Sequence, residues 1–175
     1  RVLMRDEKSN VFAYSLAFQL ICAVLVGIFA FARGFVMPPI QDLWFNFALI
    51  TVLYAAGTLF LFKALQSIEA SEAAILTSSR ALWTIVVALI FFGESFDLFK
   101  TLGVVLIIGS IALVSFKKEA VRFNKGTLYA LGSAFCFGVA FANDTFILRQ
   151  SDVLSYLTLA FLFPGLIILA INPRV

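Results

Sequence analysis

The chain has 175 residues, of which 62% are hydrophobic and 13% charged, with a mean hydropathy of +1.04. A soluble domain of this length could not hide that much apolar surface, so composition excludes a water-soluble protein and points to an integral membrane protein. The net charge of +3 is small, which fits basic loops that orient helices and argues against a nucleic-acid partner.

Apolar segments long enough to span follow one another at 11–32, 43–62, 71–92, 98–116, 126–148 and 153–171. The predicted fold class is therefore all-α, with six transmembrane helices joined by short connections, because irregular backbone is not tolerated in lipid. The first segment is too long for a signal peptide and lacks a small-residue cleavage pattern. Pro38-Pro39 ends it, since proline cannot continue a helix. The second segment runs out at Lys63, whose amine is expected to reach the headgroups. Residues 67–71 and 93–97 read as tight turns around the third segment. Glu69 and Glu72 favour its positive N-terminal end, and Glu94 sits in the interfacial turn at its far end. In the fourth segment Gly103 and Gly109 are read as packing notches. The break at 117–125 is the longest and the best domain boundary. In the fifth segment Gly132, Cys136, Ala140 and Asn143 (or Asp144) recur at helical spacing and give a small, weakly polar face for close packing. Cys22 and Cys136 both fall inside apolar runs, so they are read as small hydrophobes rather than a disulfide or a metal site.

Taken alternately, the breaks and ends place nine basic residues on one side and three, Arg33, Lys100 and Arg149, on the other. The positive-inside rule puts the richer side, with the 117–125 loop, in the cytoplasm. A faint internal repeat accompanies this pattern. Leu3-Met4-Arg5 precedes Leu16-Ala17-Phe18, and Ile147-Leu148-Arg149 precedes Leu159-Ala160-Phe161 with one residue fewer between them. Tyr14 and Tyr156 take matching places. The chain opens on Arg1 and stops soon after an apolar stretch, and is read as part of a longer one. The repeat would then hold five helices, with residues 1–118 a first copy lacking its first helix and 119–175 the truncated start of a second. An odd number of spans turns the copies over, giving an inverted (5+5) plan of ten helices, a recurring design in secondary transporters.

One charge lies far from either membrane surface. Arg80 falls about 13 Å along the third segment from Ser71, close to half of a ~30 Å hydrocarbon core. A charge at that depth costs roughly 2.5–3.5 kcal/mol on insertion scales, so it implies a partner or a task. On a continuous helix Thr77, Trp83 and Thr84 share its face. A guanidinium fork matches a carboxylate or phosphate, so the stripe is a candidate anchor for an anionic or zwitterionic substrate. The competing reading is structural, with Arg80 tied to backbone carbonyls or to an intramembrane acid. Asn143 and Asp144, side by side in the fifth segment, are a candidate substrate or proton-coupling site, against a plain packing role. A direct pair between Arg80 and Asp144 is left open.

The order Ala64-Leu65, Ala70-Ser71, Ala73-Ala74-Ile75, Phe92-Gly93-Glu94, Gly103 and Gly109 resembles the EamA-type transporters of the drug/metabolite transporter superfamily. The resemblance covers most of 43–116 and more weakly 126–171. It implies two five-helix halves that move small polar or amphipathic solutes. Where many such proteins carry proline, fourteen residues before the glutamate of the Gly-Glu, this chain carries Arg80. The resemblance also implies cytoplasmic termini and places 117–125 outside, against the loop charges, so the orientation stays open.

No G-x-x-x-x-G-K-[ST] occurs and there is no His, so neither P-loop hydrolysis, an HExxH site nor a Ser–His dyad is available. The chain is expected not to be an enzyme and to need no cofactor or metal. The function expected is secondary active transport of a small polar, anionic or amphipathic metabolite or drug by alternating access. Its partners are the substrate and the lipid bilayer of the cell (inner or plasma) membrane, with a homodimer admitted and no nucleic acid. The alternative from another class is an assembly protein whose Arg80 pairs with an acid on a partner helix. A lipid-handling protein is a weaker third.

Overall fold

Asn10 opens the first helix by accepting from the amides of Phe12 and Ala13 at 3.0 and 3.3 Å, satisfying donors that a helix start leaves without partners. Gly34 closes it in the left-handed region at φ 92°, a conformation a Cβ would oppose, and Pro38-Pro39 follow. The computed structural model describes residues 10–92, 97–117 and 124–173. Its regular elements are helices: α1 Val11–Arg33, α2 Trp44–Ser67, α3 Ala70–Ser78, α4 Arg80–Phe92, α5 Leu98–Lys117, α6 Lys125–Leu148 and α7 Val153–Ile171.

Among the described residues five stretches are long and apolar enough to cross a membrane: α1, α2, α3 with α4 as one span from Ala70 to Phe91, α6 and α7. The expected sixth, 98–116, does form a single helix, α5. Within it the stretch Thr101–Ser110 is apolar among the described residues. The notches expected at Gly103 and Gly109 meet nothing described within 4 Å of a Cβ built at either position, and among the described residues α5 touches α3 and α4 lightly. Gly93 and Glu94, residues 118–123, and Leu3-Met4-Arg5 lie outside the described residues.

The third span departs from expectation in a second way, being interrupted at Ser79. Thr77, Ser78 and Ser79 are three hydroxyls in a row, and each donates back to the preceding turn: Thr77 to the Ala73 carbonyl at 2.8 Å, Ser78 to Ala74 at 2.8 Å and Ser79 to Leu76 at 2.6 Å. Such back-bonds compete with the helical ladder. At the break the amides of Ser79 and Leu82 reach carbonyls only three residues back, Leu76 and Ser79, the tighter 3₁₀ pattern. The break falls within the expected face of Thr77, Arg80, Trp83 and Thr84, with Thr77 before it and the other three after it.

Packing is in pairs, α1 on α7 and α2 on α6, with α3 and α4 laid against α6. Small residues allow the approach. The inner stripe of α1 reads Val11, Ser15, Gln19, Ala23, Gly27 and Ala30, a four-residue spacing that keeps bulky Ile21, Leu25 and Phe29 outward. The small face expected on α6 is buried, with Cys136, Ala140 and Asn143 at 7%, 0% and 7% exposure, and both cysteines are free thiols. Phe47, Ile50, Ile147, Tyr156 and Leu159 join α2, α6 and α7 in one core cluster.

The connection between α1 and α2 is tied to the start of α7. Asp152 caps α7, accepting from the Ser155 amide and hydroxyl at 2.9 Å each, and the Ser155 hydroxyl oxygen accepts from the Val36 amide at 3.1 Å.

A cavity between five helices as candidate functional site

Arg80 is the first residue of α4, immediately past the break. Its position along the bundle is set by the contact of α4 with α6. A Cβ built on Gly138 would lie 2.4 Å from the Trp83 Cβ and 2.6 Å from the Arg80 carbonyl oxygen, so only glycine permits this approach. Thr84 fastens the same crossing by donating its hydroxyl to the Gly138 carbonyl at 3.0 Å. From there the guanidinium extends over the ring of Phe141, 5.3 Å from its centroid, an attraction between cation and ring face.

Arg80 lines a cavity of about 340 Å³ walled by α1, α2, α4, α6 and α7, and Asp144 lines the same cavity. No ion pair joins the two, although the sequence allowed for one. Asp144 is instead held by two phenols. Tyr54 of α2 donates to its Oδ2 and Tyr156 of α7 to its Oδ1. A half-buried carboxylate needs donors to offset its lost hydration, and the two hydroxyls supply them on opposite oxygens. Tyr156 is itself fully buried, and its ring packs on Phe47 at 6.0 Å, so this donor is fixed by core packing.

The rest of the cavity is largely aromatic. Phe18, Phe62, Phe137, Phe141 and Phe161 contribute to its wall, and Tyr54 packs on both Phe137 and Phe141 with centroids 6.0 and 6.2 Å away. The further polar groups are an amide on α1 and a hydroxyl on α2, Gln19 and Thr58. Gln19 donates to the Thr58 hydroxyl at 2.9 Å, while its carboxamide oxygen is buried and accepts nothing among the described residues. An acceptor left so is uncommon in an interior and calls for a donor from water or a ligand. The cavity thus offers one cation, one carboxylate already bonded twice and a large apolar wall.

Of the six residues singled out in the sequence, Arg80 and Asp144 meet in this cavity and the other four serve elsewhere. Thr77 turns its hydroxyl to the Ala73 and Ala74 carbonyls of its own helix. Trp83 stands edge-on to Phe135 at 5.0 Å, and Thr84 joins α4 to α6. Asn143 forms a reciprocal amide clamp with α2, accepting from the Asn46 side chain at 2.5 Å and donating to the Asn46 carbonyl at 3.1 Å. Its neighbour Asp144 lies one position round the helix and faces the cavity instead. Lys63 lays its amine over the Tyr129 ring, 5.3 Å from the centroid.

Tyr54, Tyr156 and Gln19 were not singled out by sequence reasoning. Gln19 carried a usable signal, as an amide within an apolar run. The tyrosines did not, because a tyrosine among phenylalanines reads as one more aromatic until the helices are assembled.

Comparison with known proteins bears on what this cavity belongs to. The sequence model of the EamA-like transporter family matches residues 4–116. No curated protein and no solved structure gives a match.

Proposed function

The chain belongs to the EamA-like transporter family, a family of membrane transporters, and we propose that it moves an amphipathic organic anion across the membrane by alternating access. The carrying observation is Arg80: a guanidinium in the middle of a span, lining an aromatic cavity, with a ring beneath it and no carboxylate of the described residues upon it. Its donors call for a carboxylate, sulfonate or phosphate, and the phenylalanine wall accepts an apolar body.

In this reading residues 1–118 belong to one five-helix half and 119–175 begin the other, inverted half. It is supported by the pairing of α1 with α7, which occupy equivalent places in the two halves. The cavity would then lie between halves that rock about it, in the cell membrane, driven by a gradient rather than by nucleotide hydrolysis.

The test is uptake of 2-naphthalenesulfonate by the intact protein in liposomes. This aromatic monoanion stays ionised and does not leak through lipid as a neutral acid. Saturable uptake by the wild type, lost in Arg80→Ala while folding is retained, is the expected result. Equal uptake by both proteins would sink the assignment of Arg80, and a normal yield of folded wild type with no uptake would sink the anion.

A further inference from the structure

We propose that Asp144 is the proton-binding group of this transporter, so that an anion settling on Arg80 draws a proton onto Asp144 and the two cross together. This inference rests on the anion reading above and adds the coupling ion to it.

The first support is the charge balance of the cavity. Arg80 and Asp144 line the same cavity without pairing, so it holds one positive and one negative group. An anion on Arg80 leaves the cavity with one excess negative charge. Charges between apolar walls interact several times more strongly than in water, and the excess is removed if Asp144 gains a proton. Anion and proton then bind with positive coupling, which is necessarily reciprocal.

The second support is how Asp144 is held. Its two oxygens each accept from a tyrosine, Tyr54 on one side and Tyr156 on the other. A proton arriving from water forms an O–H bond on one oxygen and turns that oxygen into a donor. The tyrosine facing it must then reverse its hydroxyl to accept, or leave. On release the O–H bond breaks and the proton returns to water, so no other reactant is consumed. Because Tyr54 stands on α2, Asp144 on α6 and Tyr156 on α7, the proton rearranges a junction of three helices rather than one side chain. That is the property a coupling group needs, since proton binding must alter the contacts that hold one conformation.

The titratable and charged groups facing Asp144 are few. They are Tyr54 from α2, Tyr156 from α7 and Arg80 from α4, while α1 brings only the neutral amide of Gln19 to the cavity. Among the described residues Asp144 is the one acid that lines it.

The experiment measures proton uptake and anion binding together. Intact protein in weakly buffered detergent is titrated with 2-naphthalenesulfonate from about pH 8 to about pH 5, with a pH-sensitive dye reporting protons. The wild type is expected to take up close to one proton per anion where Asp144 starts ionised, and its affinity should rise by up to about tenfold per unit fall in pH. Asp144→Asn should bind the anion with a flat pH profile and release or take up no proton. Should that variant fail to fold, Tyr156→Phe keeps the carboxylate but removes one donor to its charged form, and the steep region should move to higher pH. Anion binding without proton uptake in the wild type, or an unmoved profile in Tyr156→Phe, overturns the coupling and leaves the anion site standing. No binding of the sulfonate to the wild type at any pH overturns the anion site itself.

Discussion

Thr84 donates its hydroxyl to the carbonyl of Gly138 across 3.0 Å, and this single bond marks where α4 comes closest to α6. The crossing lies one turn from Arg80, so whatever moves it moves the guanidinium.

Gly138→Ala is expected to force the helices apart. The added methyl would meet the Trp83 Cβ and the Arg80 carbonyl at 2.4 and 2.6 Å, and neither is the movable end of a side chain. Overpacking of this kind costs about 1–3 kcal/mol, so thermal unfolding in detergent should fall and uptake should fall with it. An unchanged melting temperature would show that the helices are not in contact here.

Arg80→Lys separates the fork from the charge. Lysine keeps the positive charge but presents no planar pair of donors. Loss of one charge-assisted hydrogen bond is worth roughly 1.5–3 kcal/mol, so affinity for an aromatic sulfonate should drop about ten- to hundredfold while thermal stability stays close to wild type. A purely structural Arg80 would give the opposite pattern, with affinity kept in the protein that folds and stability reduced.

Asn143→Ala should reduce stability without touching transport selectivity. The change removes both halves of the clamp with Asn46. Side-chain hydrogen bonds between membrane helices contribute about 0.6 kcal/mol on average and up to about 1.7, and loss within that range is expected in unfolding measurements. A change in which anions compete for the cavity would place Asn143 in the binding site after all.

At the membrane surface Asp152 gives a pH dependence of known sign. The Ser155 amide and hydroxyl hold its carboxyl below the usual carboxylate range, with the Leu154 amide and the charge of Arg33 adding to them. A lowered value means the cap stabilises the folded form above the ordinary carboxylate pKa near 4, and the benefit is lost as pH falls through the lowered value. Asp152→Asn keeps an acceptor for the cap but cannot titrate, so its stability should decline less between about pH 5 and pH 3. Identical acid limbs in the two proteins would argue against the charged cap.

The helices were legible because lipid imposes a length and an apolar composition that no other constraint disturbs, and the runs at 11–32, 126–148 and 153–171 agree with α1, α6 and α7 to within a residue. The charges were legible for the same reason, since Arg80 and Asp144 stand out against apolar neighbours. Their meeting was not. It depends on α4 and α6 crossing at Gly138, and a glycine in a membrane helix has too many uses to announce that one. Asn143 and Asp144 looked equivalent as neighbours, but adjacent positions on a helix point about 100° apart, which sends one to the clamp and the other to the cavity. The interruption at Ser79 had a signal in Thr77-Ser78-Ser79, but serine and threonine also sit quietly in continuous membrane helices.

That interruption also bears on how the third span tolerates change. A proline holds a break through one ring, and a single substitution removes it. Here the break is shared among three hydroxyls, each bonded to a carbonyl of the preceding turn, so losing one leaves two in place. Every one of those bonds is also undone by a rotation about χ1, with no covalent obstacle to restoring the regular ladder. Mutation therefore has to strike three times to straighten the span, whereas thermal motion needs only to turn three side chains.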